Sequence, residues 1–365
     1  MNINIVTLTV AKNTIYSNNV NFNPSIIHLH DNVFLVSFHT FRRGYGSNKV
    51  IVNDKYHPWY GGPNSKTWWQ EGHGFRGTGL MIIKIINDDI IIHQVLQNIN
   101  YGVDMRLLKT PSFIFATFNL ATDNYDNWGI DRELYQLPKA TCKEKCLSMQ
   151  YFTANIIKKE NQYILKQEHY SLLCPNLQDQ DKNWSSFMIN DQLYCSDYLT
   201  PKHTVIHIDQ CSITMAQHIN IMEEIELFYE GALVFSLSTP AMKYKDVMLG
   251  VGHLKIIPSF LKPDTKAHHF VMNHKMPKHP YYDQMYMMFL YTFSSDLEII
   301  SISPAFYPPE TKHSIVFPAG LTYYDDYIVS YGEADLEMKL MFLLPSIIDD
   351  LLFQDIQIEY DFLYL

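Results

Sequence analysis

Short apolar runs separated by turn residues dominate the hydrophobic pattern of the chain. Val33–Phe38 and Phe113–Phe118 are rich in aromatic and β-branched side chains, which is typical of buried β-strands. Helical periodicity is confined to Arg132–Ser148 and Asp335–Phe353, and the second of these contains Pro345. The pattern predicts an all-β protein with loop insertions and a C-terminal helical segment.

One hairpin pattern recurs five times along the chain. In each copy a short polar or proline-containing element precedes an apolar strand, a tight turn follows, and a second strand ends in small or polar residues. The copies are anchored at Pro24, Asp104, Asn183, Pro240 and Pro318. The spacings between anchors are 80, 79, 57 and 78 residues. They exceed the ~40–50 residues of a minimal propeller blade, so each unit would carry long loops or an insertion.

Five hairpin units predict a five-bladed β-propeller, formed as a single domain by residues 1–365. One blade cannot bury both faces of its sheet, whereas blades arranged around a common axis cover one another. Aromatic residues make up 14% of the chain and would fill the flat interfaces between blades. The alternative is an irregular β-sandwich, whose hairpins look alike because hairpins generally do.

Composition narrows the classes of function. Only 18% of residues are charged and the net charge is −10, so no basic field is available to hold a nucleic-acid backbone. The apolar runs are the length of strands and are interrupted by charges, which argues against a membrane span. The five cysteines are scattered and indicate reduced thiols in a cytoplasmic compartment. Cys142 and Cys146 have no further ligands nearby, so we expect no metal site.

Polar side chains at the ends of the repeated strands should converge on one face of a propeller. They are Asn23, His39, Asp104, Arg106, Asn119, Asn183, Trp184, Asp197, Ser238, Thr239, His253, Glu333 and Asp335. Sugars need many hydrogen bonds at fixed angles and a flat apolar platform, which such a set provides. Trp184 has a second interpretation, as a core residue between blades.

A long loop between the first two strand pairs is the other informative segment. Arg42–Arg76 is rich in Gly, Tyr, His and Trp, and loops of this length are usually functional or disordered. We expect a lid or subsite wall in which Trp59, Trp68 or Trp69 stacks on a sugar. Alternatively, the loop packs its own aromatic side chains against the side of the propeller.

Six short motifs occur in a fixed order on the five repeats. They are Asn23-Pro24-Ser25, Asp104-Met105-Arg106-Leu107, Lys182-Asn183-Trp184, Ser238-Thr239-Pro240, Phe317-Pro318-Ala319-Gly320-Leu321 and Tyr331-Gly332-Glu333-Ala334-Asp335. This order resembles the five-bladed propeller glycoside phosphorylases and hydrolases of family 130, which act on β-mannosides, and the related β-1,2-mannosyltransferases. The family patterns look like Asn-Pro-(Ser/Ala), Glu-Asp-Pro-Arg, Glu-Lys-Asn-Trp, Gly-Gly-Thr-Pro, Phe-Pro-Ser-Gly-Leu and Tyr-Gly-x-x-Asp. Here Val103 and Met105 replace the Glu and Pro that flank the family's acid.

The resemblance implies a role for each matching residue. Asp104 would be the general acid or base at the glycosidic oxygen, and Arg106 would hold it in place. A neighbouring Arg lowers a carboxyl pKa and burial raises it, and the sequence leaves open which effect prevails. The implied substrate-binding residues are Asn23, Arg42, Arg106, Asn183, Trp184, Thr239, His253, Tyr331, Glu333 and Asp335. Phosphate would be held by basic residues chosen from Arg42, Arg43, Arg76, His253 and Lys255.

The activity implied is an inverting phosphorylase or mannosyltransferase. Its donor would be mannose-1-phosphate or a nucleotide-mannose and its acceptor an oligosaccharide, with no metal and no organic cofactor, and oligomerisation stays possible. One alternative is a catalytically inactive propeller that binds a glycan or a protein partner. The other is a β-mannoside hydrolase, in which Glu333 would activate water opposite Asp104.

Overall fold

A computed structural model provides the structure of the protein. It describes residues 3–10, 20–41, 51–52, 55–56, 76–86, 89–99, 103–121, 147–174, 184–217, 219–273, 284–334, 337–357, 360 and 362–365. Strands dominate these ranges and are arranged in five sheets of four or more strands, with one additional two-stranded pair. None of the helices in these ranges has both the length and the apolar character needed to cross a membrane.

The first three large sheets are four-stranded antiparallel meanders in chain order. After β1 (Asn4–Leu8), the first sheet contains β2 (Val20–His30), β3 (Val33–Phe41), β6 (Arg76–Ile86) and β7 (Asp89–Ile99), while β4 (Ile51–Val52) pairs with β5 (Lys55–Tyr56). The second sheet contains β8 (Val103–Lys109), β9 (Ile114–Ala121), β10 (Leu147–Lys159) and β11 (Gln162–Leu172). The third contains β12 (Ser185–Ile189), β13 (Gln192–Tyr198), β14 (His203–His207) and β15 (Ser212–Ala216).

The fourth sheet has seven strands and the fifth has four. Helix α1 (Asn220–Phe228) leads into β16 (Leu233–Ser236), β17 (Met242–Tyr244), β18 (Val247–Ile256), the 3₁₀ turn Pro258–Phe260, α2 (Lys266–Asn273), β19 (Met285–Phe293), β20 (Ile299–Ile302) and β21 (Ala305–Tyr307). The fifth sheet contains β22 (Val316–Tyr324), β23 (Asp326–Glu333) and β24 (Glu337–Leu343), and is followed by α3 (Pro345–Leu352). The seventh strand of the fourth sheet is β25 (Phe362–Tyr364), which pairs with β21 in parallel.

The five predicted hairpins are β2–β3, β8–β9, β12–β13, β17–β18 and β22–β23. Four of the opening strands, β2, β8, β12 and β22, stand at one edge of their own sheets, and β2, β12 and β22 each pack against β8. This arrangement of sheets confirms the predicted β-propeller rather than a sandwich. The single-domain boundaries stay a prediction.

The ring is closed by pairing the first strand of the chain with the last strand of the fifth sheet. Strand β1 adds to β24 in antiparallel register, from Asn4 opposite Phe342 to Leu8 opposite Met338. Closing a sheet in this way ties the first and last blades together and covers an edge that would otherwise be unpaired.

Aromatic side chains fill interfaces between sheets, as the composition predicts. Phe187 of the third sheet meets Phe293 of the fourth edge-on, with ring centroids 4.9 Å apart. Tyr244 of the fourth sheet meets Tyr327 of the fifth at 5.4 Å. Such tilted contacts add about 0.5–1.5 kcal/mol per pair beyond area burial.

The helix prediction needs correction at the C-terminus. Within Asp335–Phe353, the helix begins only at Pro345, and residues 337–343 form β24. Pairing along β23 outweighs the helical propensity there, while Pro345 occupies the first helical turn, where its missing N–H costs nothing. Of Arg132–Ser148, residues 132–146 lie outside the described ranges and the last two belong to β10. Helices α1 and α2 were not predicted, because eight or nine residues show too little periodicity.

Candidate active site

The opening strands carry β-bulges where the sequence motifs fall. Asn23 and Pro24 of β2 together oppose one residue of β3, Asp104 and Met105 of β8 together oppose one residue of β9, and Ala319 is an extra residue in β22, as the register shifts show. Asn23 has φ 46° and Asp104 has φ 54°, a left-handed conformation that Asn and Asp tolerate better than other non-glycine residues. A bulge redirects a side chain away from the alternation of the strand. The backbone conformation at the bulges therefore sets the direction of the Asn23 and Asp104 side chains.

In the fourth sheet, the strand segments β16 and β17 both pair with β18 and are separated by a non-strand segment, in place of the bulge found in β2, β8 and β22. Residues 237–241 separate β16 from β17 and contain the Ser238-Thr239-Pro240 motif. Thr239 fixes this segment, because its N–H donates to the Val251 carbonyl at 3.0 Å and its Oγ1 accepts the Val251 N–H at 3.0 Å. The Thr239 hydroxyl thus accepts a main-chain hydrogen bond within its own sheet.

The Asp104 carboxylate meets two side chains of the neighbouring sheet. Asn23 Nδ2 donates to Asp104 Oδ1 at 3.0 Å, and His39 Nδ1 lies 3.6 Å from the same oxygen. The His39 side chain is 1% exposed and that of Asp104 is 22% exposed. The carboxylate is therefore held from inside the protein while part of it faces solvent.

The protonation of Asp104 follows from these neighbours. Burial by itself raises the pKa of Asp104, whereas the contact with His39, the charge of Arg106 and the hydrogen bond from Asn23 lower it. The lowering effects prevail, and the pKa lies well below the ordinary value of 3.8. Asp104 is therefore a carboxylate at neutral pH, which resolves the competition that the sequence left open.

Arg106 is buried and links the second sheet to the fourth through hydrogen bonds. Its Nε donates to the Ser238 carbonyl and its Nη1 donates to the main-chain carbonyl of Asp104. Its guanidinium also lies 5.4 Å from the centre of the Phe317 ring. Burial lowers the pKa of Arg106 to about 10 and the charge of Asp104 opposes that effect, so Arg106 stays protonated at neutral pH. Arg106 thus holds the Asp104 backbone rather than its carboxylate.

His253 belongs to an aromatic group beside Arg106. Its Nδ1 is 2.6 Å from Ser238 Oγ, and its ring lies 4.9 Å from Phe317 and 5.3 Å from Tyr286. The Lys255 ammonium lies over the Tyr286 ring, 5.8 Å from its centre. The proposed phosphate ligands His253 and Lys255 therefore share Tyr286 as a common support.

Trp184 lies in the core between the second and third sheets. It is fully buried and packs with Phe115, Met149, Leu173 and Cys195. Its Nε1 has no hydrogen-bond acceptor among the described residues. This position matches the alternative interpretation of Trp184 as a core residue, while its indole N–H keeps a free hydrogen-bonding capacity.

Other buried polar side-chain atoms also lack hydrogen-bond partners among the described residues. Two of them are Asn119 Oδ1, at the end of the strand next to β8, and Tyr331 Oη. Burial and the negative charge of Glu333 and its acidic neighbours raise the pKa of Tyr331, which keeps its hydroxyl protonated. Unpaired buried polar atoms of this kind are normally satisfied by water or a ligand.

Glu333 is fully buried and both of its oxygens have protein partners. Oε1 accepts the N–H groups of Lys312 at 2.6 Å and His313 at 3.0 Å, and Oε2 pairs with the Lys339 ammonium. Glu337 lies 3.5 Å from the same ammonium. Glu333 therefore holds the loop before β22, a role that the sequence motif did not reveal. No spacing signal in the sequence singled out Lys339.

Several predicted residues lie outside the described ranges. These are Arg42, Arg43, Trp59, Trp68, Trp69, Cys142, Cys146, Asn183 and Asp335. Within the part of the chain that the structure describes, no three His, Cys, Asp or Glu side chains cluster as ligands of a metal ion would. The structure brings Asn23, His39, Asp104, Arg106 and His253 into one connected group spanning the first, second and fourth sheets.

Comparison by sequence finds no relative: no family model matches the chain, and no curated protein matches it either. Comparison by structure finds clear similarity. The β-1,2-mannobiose phosphorylase from Listeria innocua, in complex with β-1,2-mannobiose, is 11% identical with a TM-score of 0.51, covering 96% of this chain and 99% of that one.

Two structures from Leishmania mexicana are also similar. A GDP-Man-dependent mannosyltransferase is 10% identical with a TM-score of 0.50, covering 93% of this chain and 89% of that one. A mannose phosphorylase in complex with phosphate ion is 8% identical with a TM-score of 0.48 and the same coverage. At such identities the similarity establishes a shared fold. The resemblance drawn from the motifs is therefore confirmed at the level of the propeller.

Proposed function

We propose that the protein is a carbohydrate-active enzyme that acts on β-mannosides, with Asp104 as its general acid/base. The observation that carries the proposal is the Asp104 carboxylate, which is redirected by a bulge in an inner strand and held by Asn23 while 22% of the side chain stays exposed. The names of the fold neighbours, which act on mannose or mannosides, agree with this chemistry.

The ionised state of Asp104 matches the role of general base in the synthetic direction. A general base must be unprotonated at the working pH, and the low pKa of Asp104 satisfies that condition. Asp104 takes the proton of an acceptor hydroxyl, whose oxygen bonds to the mannosyl C1 while the bond from C1 to the phosphate oxygen breaks. The phosphate or nucleoside diphosphate leaves with the bonding electrons. Attack opposite the leaving group inverts the anomeric centre, so an α-linked donor gives a β-mannoside.

The remaining predicted residues divide between substrate contact and support. Asn23, His253 and Tyr331 are the described residues that we propose for contact with the sugar or its phosphate, together with Arg42, Asn183 and Asp335. Arg106, Trp184, Thr239 and Glu333 shape the site through the contacts described above. A cytoplasmic location belongs to the same proposal, and agrees with the free thiols of Cys174, Cys195 and Cys211.

The hydrolase alternative has less support. An inverting hydrolase needs a second carboxylate that activates water, and Glu333, nominated for that task, is fully buried with both oxygens engaged. The alternative of a glycan-binding propeller without activity is an outcome of the experiment that follows.

A donor panel tests the proposal. Mannose-1-phosphate and GDP-mannose are each incubated with mannose or β-1,2-mannobiose as acceptor, and β-1,2-mannobiose is incubated with inorganic phosphate for the reverse reaction. We expect a β-linked product, detected by mass spectrometry, with its anomeric configuration assigned by proton NMR. Saturable mannoside binding in calorimetry without turnover would favour the binding module instead. If neither turnover nor binding is detected, the assignment to mannosides is wrong.

A further inference from the structure

His39 is an ionisable residue beside the site to which the mechanism above assigns no task. It lies near the end of β3, paired with Phe22 on one side and with Thr78 of β6 on the other. Its ring packs against the Phe22 ring, with centroids 4.6 Å apart and planes inclined by 35°. With 1% of its side chain exposed, the imidazole is fixed in one orientation by its surroundings.

The fixed imidazole points at one oxygen of Asp104. His39 Nδ1 lies 3.6 Å from Oδ1, the atom that also accepts the hydrogen bond of Asn23. Two groups of the first sheet thus converge on Oδ1. Among the described residues, Oδ2 has no hydrogen-bond donor, which leaves this oxygen for a substrate hydroxyl.

The other charged neighbour of Asp104 acts differently. Among the described residues, His39 and Arg106 are the ionisable groups that act on Asp104. Arg106 is protonated across the physiological range and hydrogen-bonds the main-chain carbonyl of Asp104. His39 is therefore the ionisable neighbour that lies beside the carboxylate itself.

We propose that His39 is a positioning residue for Asp104, which holds Oδ1 and stabilises the carboxylate while Oδ2 receives the proton of the acceptor hydroxyl. The proposal rests on the proposed function of Asp104 and adds a second residue to it. A buried imidazole next to a catalytic carboxylate orients it and stabilises its charged form in a medium of low dielectric constant. His39 itself does not touch the substrate.

Kinetics of two variants test the role. His39→Asn keeps a neutral hydrogen-bond donor near the position of Nδ1, whereas His39→Leu removes it. We expect kcat to fall about 10-fold in His39→Asn and about 100-fold in His39→Leu, with KM within about twofold of the wild type. The acid limb of the kcat/KM profile should move to higher pH by at least about one unit in both variants.

A matched control separates positioning from loss of stability. His203 is another buried histidine, held between Ser196 Oγ and the Leu297 carbonyl, and has no contact with Asp104. His203→Asn should reduce stability without moving the acid limb. If the acid limb of the kcat/KM profile does not move in either His39 variant, the proposal is wrong. It is also wrong if the acid limb moves equally in His203→Asn.

A titration that needs no activity distinguishes this proposal from the proposed function. With aspartate labelled by ¹³C at the carboxyl carbon, the Asp104 resonance is assigned by its absence in Asp104→Asn. Its midpoint should rise by at least about one pH unit in His39→Asn. An unchanged midpoint overturns the role of His39 even if the enzyme is active. A raised midpoint in a protein without turnover supports the coupling while the proposed function fails.

Discussion

Asn23 and Asp104 lie 81 positions apart in the chain, yet Asn23 Nδ2 donates to Asp104 Oδ1 at 3.0 Å. Both residues are bulged out of inner strands of adjacent blades with left-handed backbone. Strained backbone of this kind persists only where the surrounding structure enforces it. The pair therefore links the placement of the carboxylate to the packing of two blades.

Replacing the Asn23 amide by a second carboxylate should break its hydrogen bond to Asp104 and lower activity. Asn23→Asp keeps the size and the left-handed tolerance of residue 23 but places a like charge next to Asp104, which raises its pKa and removes a donor. We expect kcat/KM at neutral pH to fall by about 10²-fold or more, measured as initial rates of mannosyl transfer. Asn190→Asp makes the same change at an exposed hairpin turn with φ 50° and should leave kcat/KM unchanged. Equal effects of the two variants would contradict the account.

Gly332 supports Asn23 from the fifth sheet. A Cβ on Gly332 would lie 2.1 Å from Asn23 Oδ1, so Gly332→Ala must displace Asn23 from its present position. We expect a loss of about 1–3 kcal/mol in the free energy of unfolding, together with a loss of activity per folded molecule. Gly231→Ala is the control, because φ there is 78° but no atom lies within 4 Å of the added methyl. It should lower stability and spare kcat/KM, and activity retained in Gly332→Ala would show that Asn23 is not needed in its present position.

The buried pair of Glu333 and Lys339 should behave as a structural unit. Glu333→Gln leaves the Lys339 ammonium, which is 6% exposed, without its nearest counter-charge. We expect a loss of about 3–5 kcal/mol in urea-induced unfolding. The double variant Glu333→Gln/Lys339→Met should lose less than the sum of the two single variants, because no buried charge is left unpaired. Normal stability of Glu333→Gln with abolished hydrolysis of β-mannosides would instead support the hydrolase alternative.

His203 should make stability depend on pH. Burial lowers its pKa from 6.5 to about 4, against a smaller opposing effect of the hydrogen bond to the Leu297 carbonyl. Because the unfolded chain binds a proton that the folded state excludes, stability falls as the pH drops from about 6.5 towards 4 and levels off below that range. The slope contributed by His203 is at most about 1.4 kcal/mol per pH unit. Unfolding of the wild type and His203→Asn across this range should differ in slope by that amount, and parallel curves would refute the assignment.

The repeated hairpins made the propeller predictable, because each one buries a local apolar pattern. The first copy, with its turn at Asp31 and Asn32, reads as a hairpin from its own residues alone. In contrast, β24 pairs with its sequence neighbour β23 on one side and with the distant β1 on the other. The pairing with β1 is long-range and leaves no periodic signal in residues 337–343, which explains the mistaken helix there.

The motifs pointed to the residues of the candidate site but not to the contacts between them. Asp104 and Arg106 follow from the motif, yet the motif does not show that Arg106 bonds to main-chain carbonyls while His39 approaches the carboxylate. Those contacts join segments from different blades, and their geometry is set by the bulges. Asparagine and aspartate at φ near 50° leave no glycine to mark such a bulge in the sequence.

The most direct measurement compares Asp104→Asn with Asp325→Asn in the mannosyl-transfer assay. Asp325 is an exposed turn residue with φ 48°, so both variants exchange a left-handed aspartate for an equally tolerant asparagine. The account predicts that Asp104→Asn lowers kcat by about 10³-fold or more while mannoside binding persists, and that Asp325→Asn matches the wild type. Turnover by Asp104→Asn at the wild-type rate would show that the chemistry does not depend on this carboxylate.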